Sequence, residues 1–423
     1  MQNHQIKEVL ISSLLCKLAI WYDYMLFIDL INIIGREFFP KANAYQNLLK
    51  IFGIFALGAF IKPIGAFIFG YIGDKYGRKI SLFISILLIS IPSSFITFIP
   101  SYESIGILAP ILIILIRVVQ GIAFGAEQGS SVYLIEHSAD KKNLGMFFGI
   151  VGLGKSLGIL LAAIAIIICK KTTSFNIWGW RIPFAFSFIL GLISAFSRYK
   201  LKETLAYQTN KSVGNLSSTP ISELLKNYKR TLILAILISI PANVIVGFII
   251  FFRALTKEIV LMDTYSTTYI NEVALIASSV LIQMAAIIFG ILSDKIGREK
   301  VAIPCIITSM LMYCPMLFIA YHCKNYLIIT LSIIILSVIE TGVTPIGIIV
   351  SELFPTKVRF SGVSLSRNIS SALFGGLTPI VCTWLTMKFT QVNFVAGIYV
   401  VFCLSVSLIA MLKVKPQNKK LDW

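Results

Sequence analysis

The chain has 423 residues, of which 57% are hydrophobic and 13% are charged. A soluble domain averages about 25% charged residues, and no water-soluble fold of this size can cover so much apolar surface. The composition therefore excludes a soluble enzyme and indicates that the lipid bilayer is the solvent.

The apolar runs predict about twelve membrane-spanning helices, because each run supplies roughly the 20 apolar residues that a span requires. The first run follows a short polar N-terminus and is too long for the core of a signal peptide. Most connections are short, so consecutive helices are expected to be antiparallel. The predicted spans are 9–34, 48–72, 79–99, 105–136, 143–169, 182–199, 227–253, 270–292, 301–321, 326–351, 360–387 and 393–412.

A polar segment at residues 200–226 is the longest gap between the predicted spans. It predicts an N-terminal six-helix bundle at 1–199, a cytoplasmic linker at 200–226, a C-terminal six-helix bundle at 227–412 and a short cytoplasmic tail at 413–423. The seven cysteines lie in or beside apolar runs and form no CxxC pair. Neither a disulfide framework nor a metal site is therefore predicted.

The distribution of Lys and Arg among the loops predicts the orientation of the chain. If both termini are cytoplasmic, the inside segments carry 22 of these residues and the outside segments carry 8. This asymmetry predicts a multi-pass protein of the bacterial inner membrane with both termini in the cytoplasm. It also explains most of the net charge of +18 without a nucleic-acid partner.

One loop pattern, Gly-x-x-x-Asp-Lys-x-Gly-Arg, occurs twice. It begins at Gly70, after the second predicted helix, and again at Gly290, after the eighth. The two copies are 220 residues apart, about half of the chain, so a duplicated six-helix unit is expected. Parallel repeats of this kind place a solute site between the halves, near the middle of the membrane.

The residue types of this repeated loop suit a gate. Gly70 and Gly290 allow a neighbouring helix to approach closely, and Gly77 permits a tight turn. Asp74 is an anion at a helix end that can pair with Arg78 or with the N-terminal dipole of another helix. A loop that served only topology would need basic charge but not Gly and Asp at fixed spacing. The predicted gating residues are Gly70, Asp74, Gly77, Arg78, Asp294 and Arg298.

The repeated loop resembles the signature of the major facilitator superfamily, and further segments resemble its metabolite:proton symporter family, which includes proline/betaine and 2-oxoglutarate transporters. These segments follow one another along nearly the whole chain. They are Trp21-Tyr22-Asp23-Tyr24, Lys62-Pro63-Ile64-Gly65, Arg117-x-x-Gln120-Gly121-x-x-x-Gly125-x-Glu127, Trp178-Gly-Trp-Arg181-Ile-Pro183-Phe184, Glu352-Leu-Phe-Pro355-Thr-Lys-Val-Arg359 and Ala372-Leu-Phe-Gly375-Gly376.

The resemblance implies an all-α membrane protein with the major-facilitator fold of twelve helices in two pseudo-symmetric six-helix bundles. It also implies a monomeric transporter rather than an enzyme, with no cofactor. Some positions depart from the family: Arg367 stands where a Tyr is common, and Lys155 lies in a helix that is not expected to carry a lysine. Cys16, Lys17 and Ile20 stand where the family has Gly, Asn and Glu. These departures leave the solute open.

Ionisable residues inside the predicted spans are the candidate site residues, because a charge in the membrane must face a cavity or a partner. Cations outnumber anions among them, which favours a carboxylate-bearing solute, since Arg can hold a carboxylate through paired hydrogen bonds. A carboxylate whose neighbours rearrange can load and release a proton; alternatively, pairs such as Arg117 with Glu127 are structural bridges. The predicted solute-binding residues are Lys62, Arg117, Lys155, Arg367 and Tyr22, and the predicted proton-coupling residues are Asp23, Glu127 and Glu340.

The sequence from Gly149 to Ser156 matches the phosphate-binding pattern G-x-x-x-x-G-K-S. A phosphate-binding loop follows a strand in a soluble α/β domain, whereas this match lies inside a long apolar run. Its glycines suit close helix packing, and Lys155 suits a cavity cation. We therefore expect no nucleotide to bind here.

Three functional hypotheses follow. The first is a proton-coupled symporter working by alternating access, with proline or betaine as the first choice of solute and a 2-oxoglutarate-like dicarboxylate as the second. The second is a transporter-like sensor that binds a solute without moving it. The third is a membrane ATPase, which rests only on the phosphate-loop match. The expected partners are a small organic solute, protons and the lipid bilayer.

Overall fold

The computed structural model describes residues 2–40, 44–138, 141–171, 178–260, 265–323, 326–389 and 394–413, and the regular structure in these ranges is helical. From the N-terminus into the linker the α-helices are α1 (Gln2–Asp29), α2 (Ile31–Phe38), α3 (Ala44–Lys75), α4 (Arg78–Phe95), α5 (Tyr102–Ile105), α6 (Leu108–Phe124), α7 (Ser130–His137), α8 (Leu144–Lys170), α9 (Ile182–Lys200) and α10 (Leu205–Ser212). The later ones are α11 (Pro220–Asn227), α12 (Lys229–Ile238), α13 (Ile240–Val260), α14 (Tyr265–Ile296), α15 (Arg298–Cys323), α16 (Tyr326–Glu340), α17 (Ile346–Glu352), α18 (Arg359–Ser370), α19 (Thr378–Lys388) and α20 (Val395–Leu412).

The described helices confirm the prediction of an all-α membrane protein. Ten segments among the described residues are long and apolar enough to cross a membrane. The predicted spans 48–72 and 270–292 lie in α3 and α14, which are helices of 32 residues each. Large apolar side chains are exposed on many helices; Phe98 and Leu311, for example, are 75% and 72% exposed. The bilayer covers such surface, which water would not tolerate at this extent.

Several predicted spans are interrupted helices, and two of the interruptions lie beside Glu127 and Glu340. The span 105–136 consists of α6, a 3-10 turn at Glu127–Gly129, and α7. The span 326–351 consists of α16, which ends at Glu340, a 3-10 turn at Thr341–Val343, and α17. Helix interruptions release backbone groups from intrahelical bonding, so inside a membrane they are tolerated where protein or a cavity surrounds them.

The chain divides into two compact units. Unit 1 comprises Met1–Ser138, Ile150–Glu223 and Thr356–Leu365. Unit 2 comprises Ala139–Gly149, Leu224–Pro355 and Ser366–Trp423. Each unit thus includes a short segment from the other half of the sequence, a feature that the division predicted at the linker did not contain. The predicted tail lies, from residue 414 onward, outside the described residues.

Unit 1 packs around large aromatic side chains and close helix contacts. The fully buried Trp180 makes edge contacts with Phe38 and Phe184, at ring-centre distances of 5.8 and 6.2 Å. Helix α8 approaches α1 closely, because a Cβ atom on Gly154 would collide with the carbonyl oxygen of Leu14. This small-residue packing is the usual means of bringing membrane helices together.

Unit 2 has an aromatic centre formed by α13 and α15. Phe248 lies edge-on to Tyr313 at 4.8 Å and stacks with Phe252 at 5.8 Å. Helix α15 also packs on α20, where a Cβ atom on Gly397 would lie 3.0 Å from the sulfur of Cys314. Tyr313 therefore projects from a rigidly packed helix.

Candidate functional site

Asp23 of α1 is a buried carboxylate in unit 1, with 2% of its surface exposed. Neither of its oxygens makes a hydrogen bond of normal geometry within the described residues. The guanidinium of Arg117 and the hydroxyls of Ser93 and Ser187 act on it electrostatically. The structure therefore brings together Asp23 and Arg117, which the sequence assigned to proton coupling and solute binding respectively.

Arg117 projects from α6 and is itself buried. Its guanidinium carbon lies 3.1 Å from the centre of the Phe27 ring, a cation–π contact. Its Nε atom is buried without a hydrogen-bond partner in the described part of the chain. Asp23 and Arg117 are thus opposite charges that interact electrostatically. Both carboxylate oxygens of Asp23 and the Nε atom of Arg117 lack a hydrogen bond within the described residues.

Lys62 of α3 lies against two aromatic rings of unit 1. Its Nζ atom is 5.6 Å from the ring centre of Tyr24 and 5.2 Å from that of Phe124. Those two rings are in edge contact at 5.8 Å. Glu127 acts electrostatically on Lys62, whereas the acid that acts on Arg117 is Asp23.

Lys155 of α8 faces the same group of rings. Its Nζ atom lies 4.3 Å from the ring centre of Trp21, and Trp21 is in edge contact with Tyr24 at 5.4 Å. Trp21, Tyr24 and Phe124 therefore form one aromatic cluster that is approached by two lysines. The first helix supplies two of its three rings, because Trp21 and Tyr24 are three residues apart and share a helix face.

Tyr22 occupies a different environment from the other predicted solute-binding residues. Its side chain is fully buried, and its hydroxyl donates a hydrogen bond of 2.9 Å to the carbonyl oxygen of Pro183. Its ring makes an edge contact with Phe186 at 6.0 Å. These contacts fix the Tyr22 side chain between α1 and α9, and its role in solute binding stays a prediction.

The remaining predicted charges, Glu340 and Arg367, belong to unit 2. Glu340 is 5% exposed; one of its oxygens accepts a hydrogen bond from the hydroxyl of Tyr313, and the other has no partner among the described residues. Arg367 is half-buried on α18 and packs over Gly347, where an added Cβ atom would lie 3.2 Å from its Nη1 atom. The predicted site residues therefore divide between the two units.

The first repeated loop receives the start of another helix within unit 1. The carboxylate of Asp74 accepts hydrogen bonds from the backbone N–H groups of Phe360 and Ser361, at 3.1 and 2.8 Å, and pairs with Arg78 at 3.4 Å. These N–H groups belong to the first turn of α18, where the helix dipole favours an anion. Gly70 allows this approach, since a Cβ atom there would lie 2.9 Å from the Cα atom of Ser361.

The second repeated loop does the same within unit 2. The carboxylate of Asp294 accepts hydrogen bonds of 2.8 and 3.0 Å from the backbone N–H groups of Gly145 and Met146, in the first turn of α8. A Cβ atom on Gly290 would collide with the carbonyl oxygen of Gly145. Arg298 differs from its counterpart and forms an ion pair with Glu352. The internal repeat is therefore a repeat of contacts as well as of sequence.

A buried ion network that sequence reasoning missed surrounds Arg78. Glu136, at the end of α7, accepts hydrogen bonds from Arg78 and Arg359, each with a shortest distance of 3.1 Å, and from the hydroxyl of Thr204 at 2.8 Å. Arg78 also donates to the carbonyl oxygen of Thr356 at 2.6 Å. Glu136 is the last residue of the predicted span 105–136. An acid at the end of a long apolar run is the sequence feature that could have pointed to it.

The Gly149–Ser156 segment lies inside α8 and not at a strand-to-helix turn. A Cβ atom on Gly149 would lie 2.6 Å from the Cα atom of Ile287, so this glycine permits helix packing, as the sequence predicted. Among the described residues, no group of three or more His, Cys, Asp and Glu side chains could hold a metal ion.

Known families and proteins resemble this chain over most of its length. The sequence profile of the family described as sugar (and other) transporter matches residues 9–219 and 208–422. The glycine betaine/proline/ectoine/pipecolic acid transporter OusA of Dickeya dadantii (strain 3937) is 28% identical, over 98% of this chain and 84% of that protein. The proline/betaine transporter of Escherichia coli (strain K12) is 29% identical, over 86% of this chain and 75% of that protein.

The inner membrane metabolite transport protein YhjE of Escherichia coli (strain K12) is 27% identical, over 96% of this chain and 93% of that protein. Among solved structures, the proton:xylose symporter XylE bound to 6-bromo-6-deoxy-D-glucose aligns with a TM-score of 0.80 at 15% identity, over 97% of this chain and 95% of that chain. That likeness shows the fold, which is the one the repeated loop predicted. The chain therefore has the fold of the major facilitator structures, belongs to the sugar (and other) transporter family and is a multi-pass membrane transporter.

Proposed function

We propose that this transporter is a proton-coupled symporter that imports a small organic solute by alternating access, with a proline- or betaine-like zwitterion as the first choice. The observation that carries the proposal is the Asp23 carboxylate, which is buried, makes no hydrogen bond of normal geometry within the described residues and interacts electrostatically with Arg117. The solutes named for the relatives OusA and the proline/betaine transporter support the solute class.

Asp23 is the proposed main proton carrier. While Arg117 faces it, the ionised carboxylate is stabilised; when the guanidinium turns to another anion, the buried carboxylate is more stable with a proton. A carboxylate held by several fixed hydrogen bonds would stay ionised throughout such a cycle. Glu127 and Glu340 are the proposed further carriers, each placed beside a break in its helix.

The solute's carboxylate is proposed to bind the cations of unit 1. Arg117 offers charge-assisted hydrogen bonds, and Lys62 and Lys155 lie at the aromatic cluster of Trp21, Tyr24 and Phe124. The same ring faces suit the ammonium end of a zwitterion, because cations are attracted to aromatic faces. Arg367 of unit 2 is proposed as a further solute contact.

The two repeated loops are proposed to gate transport. Asp74 and Asp294 each accept two backbone hydrogen bonds from the first turn of a helix. Such contacts are made of polar groups that water can replace, so they can break and form again at modest cost. Arg78 and Arg298 are proposed to stabilise the closed form of their loops through Glu136 and Glu352.

The alternative solute is an organic acid such as a 2-oxoglutarate-like dicarboxylate. The observation that favours it is the excess of cations in unit 1, where Lys62, Lys155 and Arg117 lie together with Asp23 and Glu127. A second carboxylate on the solute would be attracted by the lysines at the aromatic cluster, Lys62 and Lys155. The second alternative, a sensor, predicts solute binding without uptake.

The test is uptake into proteoliposomes under an imposed inward proton gradient, with labelled proline, glycine betaine and 2-oxoglutarate. We expect accumulation of proline or glycine betaine that a protonophore abolishes. Accumulation of 2-oxoglutarate alone would select the organic-acid alternative. Binding of a solute without any uptake would select the sensor and contradict symport.

A further inference from the structure

A cavity lies within unit 1, lined by residues of α1, α4, the 3-10 turn after α6, α7 and the end of α9. The empty space between its lining residues is about 340 Å³, and this volume includes the part that is open to solvent. Its polar lining residues are Ser13, Lys17, Ser85, Glu127, Ser130 and Arg198. Apart from Glu127, none of these residues has a part in the proposed transport mechanism.

Arg198 is the side chain that makes this cavity unusual. It is 1% exposed, and its Nε and Nη1 atoms are buried without a hydrogen-bond partner in the described residues. Its guanidinium carbon lies 5.0 Å from the ring centre of Tyr133, a contact that satisfies no N–H group. A buried guanidinium with unmade hydrogen bonds is strongly destabilising unless a ligand supplies the acceptors.

Ser13 presents a second unsatisfied group to the same cavity. Its side chain is 3% exposed, and its hydroxyl is buried without a partner among the described residues. The hydroxyls of Ser85 and Ser130, by contrast, donate to the carbonyl oxygens of Leu82 and Glu127, at 2.9 and 2.6 Å. The Ser13 hydroxyl and the Nε and Nη1 groups of Arg198 are therefore donors that make no hydrogen bond within the described residues.

The charge of the lining also favours an anion. Lys17 and Arg198 are two cations against the single acid Glu127, and Glu127 already attracts Lys62. Tyr133 and His137, the neighbouring groups of α7 that interact with Arg198, also interact with the acids Glu203 and Glu136. Glu136 is paired with Arg78 and Arg359, and Glu203 accepts hydrogen bonds from the backbone N–H groups of Lys79 and Thr204. The residues that line the cavity therefore carry a net positive charge.

We infer that this cavity binds an oxyanion, a carboxylate or a phosphate group, through Arg198 and Ser13 with Lys17 adding charge. Oxygen acceptors fit the donors present, because charged oxyanions form the strongest hydrogen bonds to guanidinium groups. The source is a free anion or the headgroup of an anionic lipid. The inference stands independently of proton coupling and of the transported solute.

The test is thermal unfolding of the purified full-length protein in detergent, with sodium phosphate or sodium acetate added and ionic strength held constant with sodium chloride. We expect either anion to raise the Tm saturably by a few degrees, since a ligand that binds the folded state stabilises it. Arg198→Gln should abolish the rise. Lys200→Gln, which removes an exposed charge from the same helix, should leave it unchanged.

Two further arms keep the inference falsifiable. In the first, phosphatidylglycerol is added to the detergent. The source is a lipid headgroup if phosphatidylglycerol raises the Tm and free anions do not, and if this rise is lost in Arg198→Gln. Ser13→Val keeps Arg198 and removes the other donor, so it should weaken the effect even if Arg198→Gln does not fold. The inference is overturned if no oxyanion source raises the Tm, or if Ser13→Val and every folded Arg198 variant keep the full rise.

Discussion

At the scale of single residues, the proposed proton coupling depends on the surroundings of Asp23. Its position in the first predicted helix was clear from the sequence, whereas its facing cation, Arg117, lies 94 residues further along the chain. Its oxygens make no hydrogen bond of normal geometry within the described residues, so we expect its protonation to respond to movements of that cation. Mutation of Asp23 should therefore separate coupling from solute binding.

We predict that Asp23→Asn abolishes protonophore-sensitive accumulation and leaves solute counterflow, because the amide keeps the shape of the side chain but carries no proton through the cycle. Proteoliposome uptake and counterflow assays measure the two activities. Glu103→Gln, at an exposed position, is the matched control. Intact gradient-driven accumulation in Asp23→Asn would show that the proton is carried elsewhere.

We predict that Lys62→Gln weakens solute binding by about tenfold or more, since hydrogen bonds to charged groups contribute about 1.5–3 kcal/mol. Lys62→Arg keeps the charge at the aromatic cluster and should lose less. Equilibrium binding of labelled solute to the purified protein measures the effect. The control is Lys388→Gln, because the ammonium of Lys388 makes a cation–π contact in unit 2, 4.8 Å from the Trp384 ring centre. If Lys388→Gln weakened solute binding as much as Lys62→Gln does, a specific role for Lys62 would be contradicted.

At the scale of helices, the two halves of the chain repeat two devices. In each repeated loop one aspartate accepts hydrogen bonds from the N-terminus of another helix. Asp74 binds the start of α18, and Asp294 binds the start of α8. Each half also contains a helix that is interrupted beside a glutamate, at Glu127 or Glu340. The first device was readable from sequence because both loops keep their spacing; the second was not, because an apolar run does not reveal where its helix is interrupted.

We predict that Gly70→Val disrupts the contact between α3 and α18, since its Cβ atom would lie 2.9 Å from the Cα atom of Ser361. In a protein without native cysteines, maleimide should then label Ser361→Cys several times faster than with Gly70 intact, because Ser361 is fully buried. Gly58→Val on the same helix is the control, as nothing lies within 4 Å of a Cβ atom there. Equal labelling rates in the two valine variants would contradict the prediction.

At the scale of the whole molecule, orientation in the membrane follows from charge. The 22 Lys and Arg residues of the predicted inside segments against 8 outside predict that the linker is cytoplasmic and that the loop before α6 is external. Ser218 and Ser104 are exposed positions in these two segments. Neither residue belongs to the proposed site, so each can be replaced by a single cysteine as a topology probe.

We predict that a membrane-impermeant maleimide labels Ser104→Cys in intact cells and labels Ser218→Cys only after the membrane is permeabilised. The reason is that basic loops are retained on the cytoplasmic side during insertion. Gel-shift assays of the labelled protein measure the result. The reverse pattern would place both termini outside and contradict the predicted topology.

Hydropathy, charge asymmetry and an internal repeat predict an all-α multi-pass membrane transporter, and the resemblance of its motifs adds the major-facilitator fold. These signals are local: a span is recognised by about 20 apolar residues, and the loops from Gly70 and Gly290 by spacing alone. They also placed Asp74 and Asp294 at helix ends, where the structure finds them holding backbone N–H groups.

The partners of the buried charges required the tertiary structure. Helices such as α1 and α3 are apolar around most of their circumference, so their sequences do not show which face meets which neighbour. Asp23 facing Arg117, Lys62 held by the aromatic cluster, Glu136 between two arginines and the unsatisfied Arg198 all depend on helix rotation and long-range packing. Those contacts join residues tens to hundreds of positions apart, and packing alone selects them.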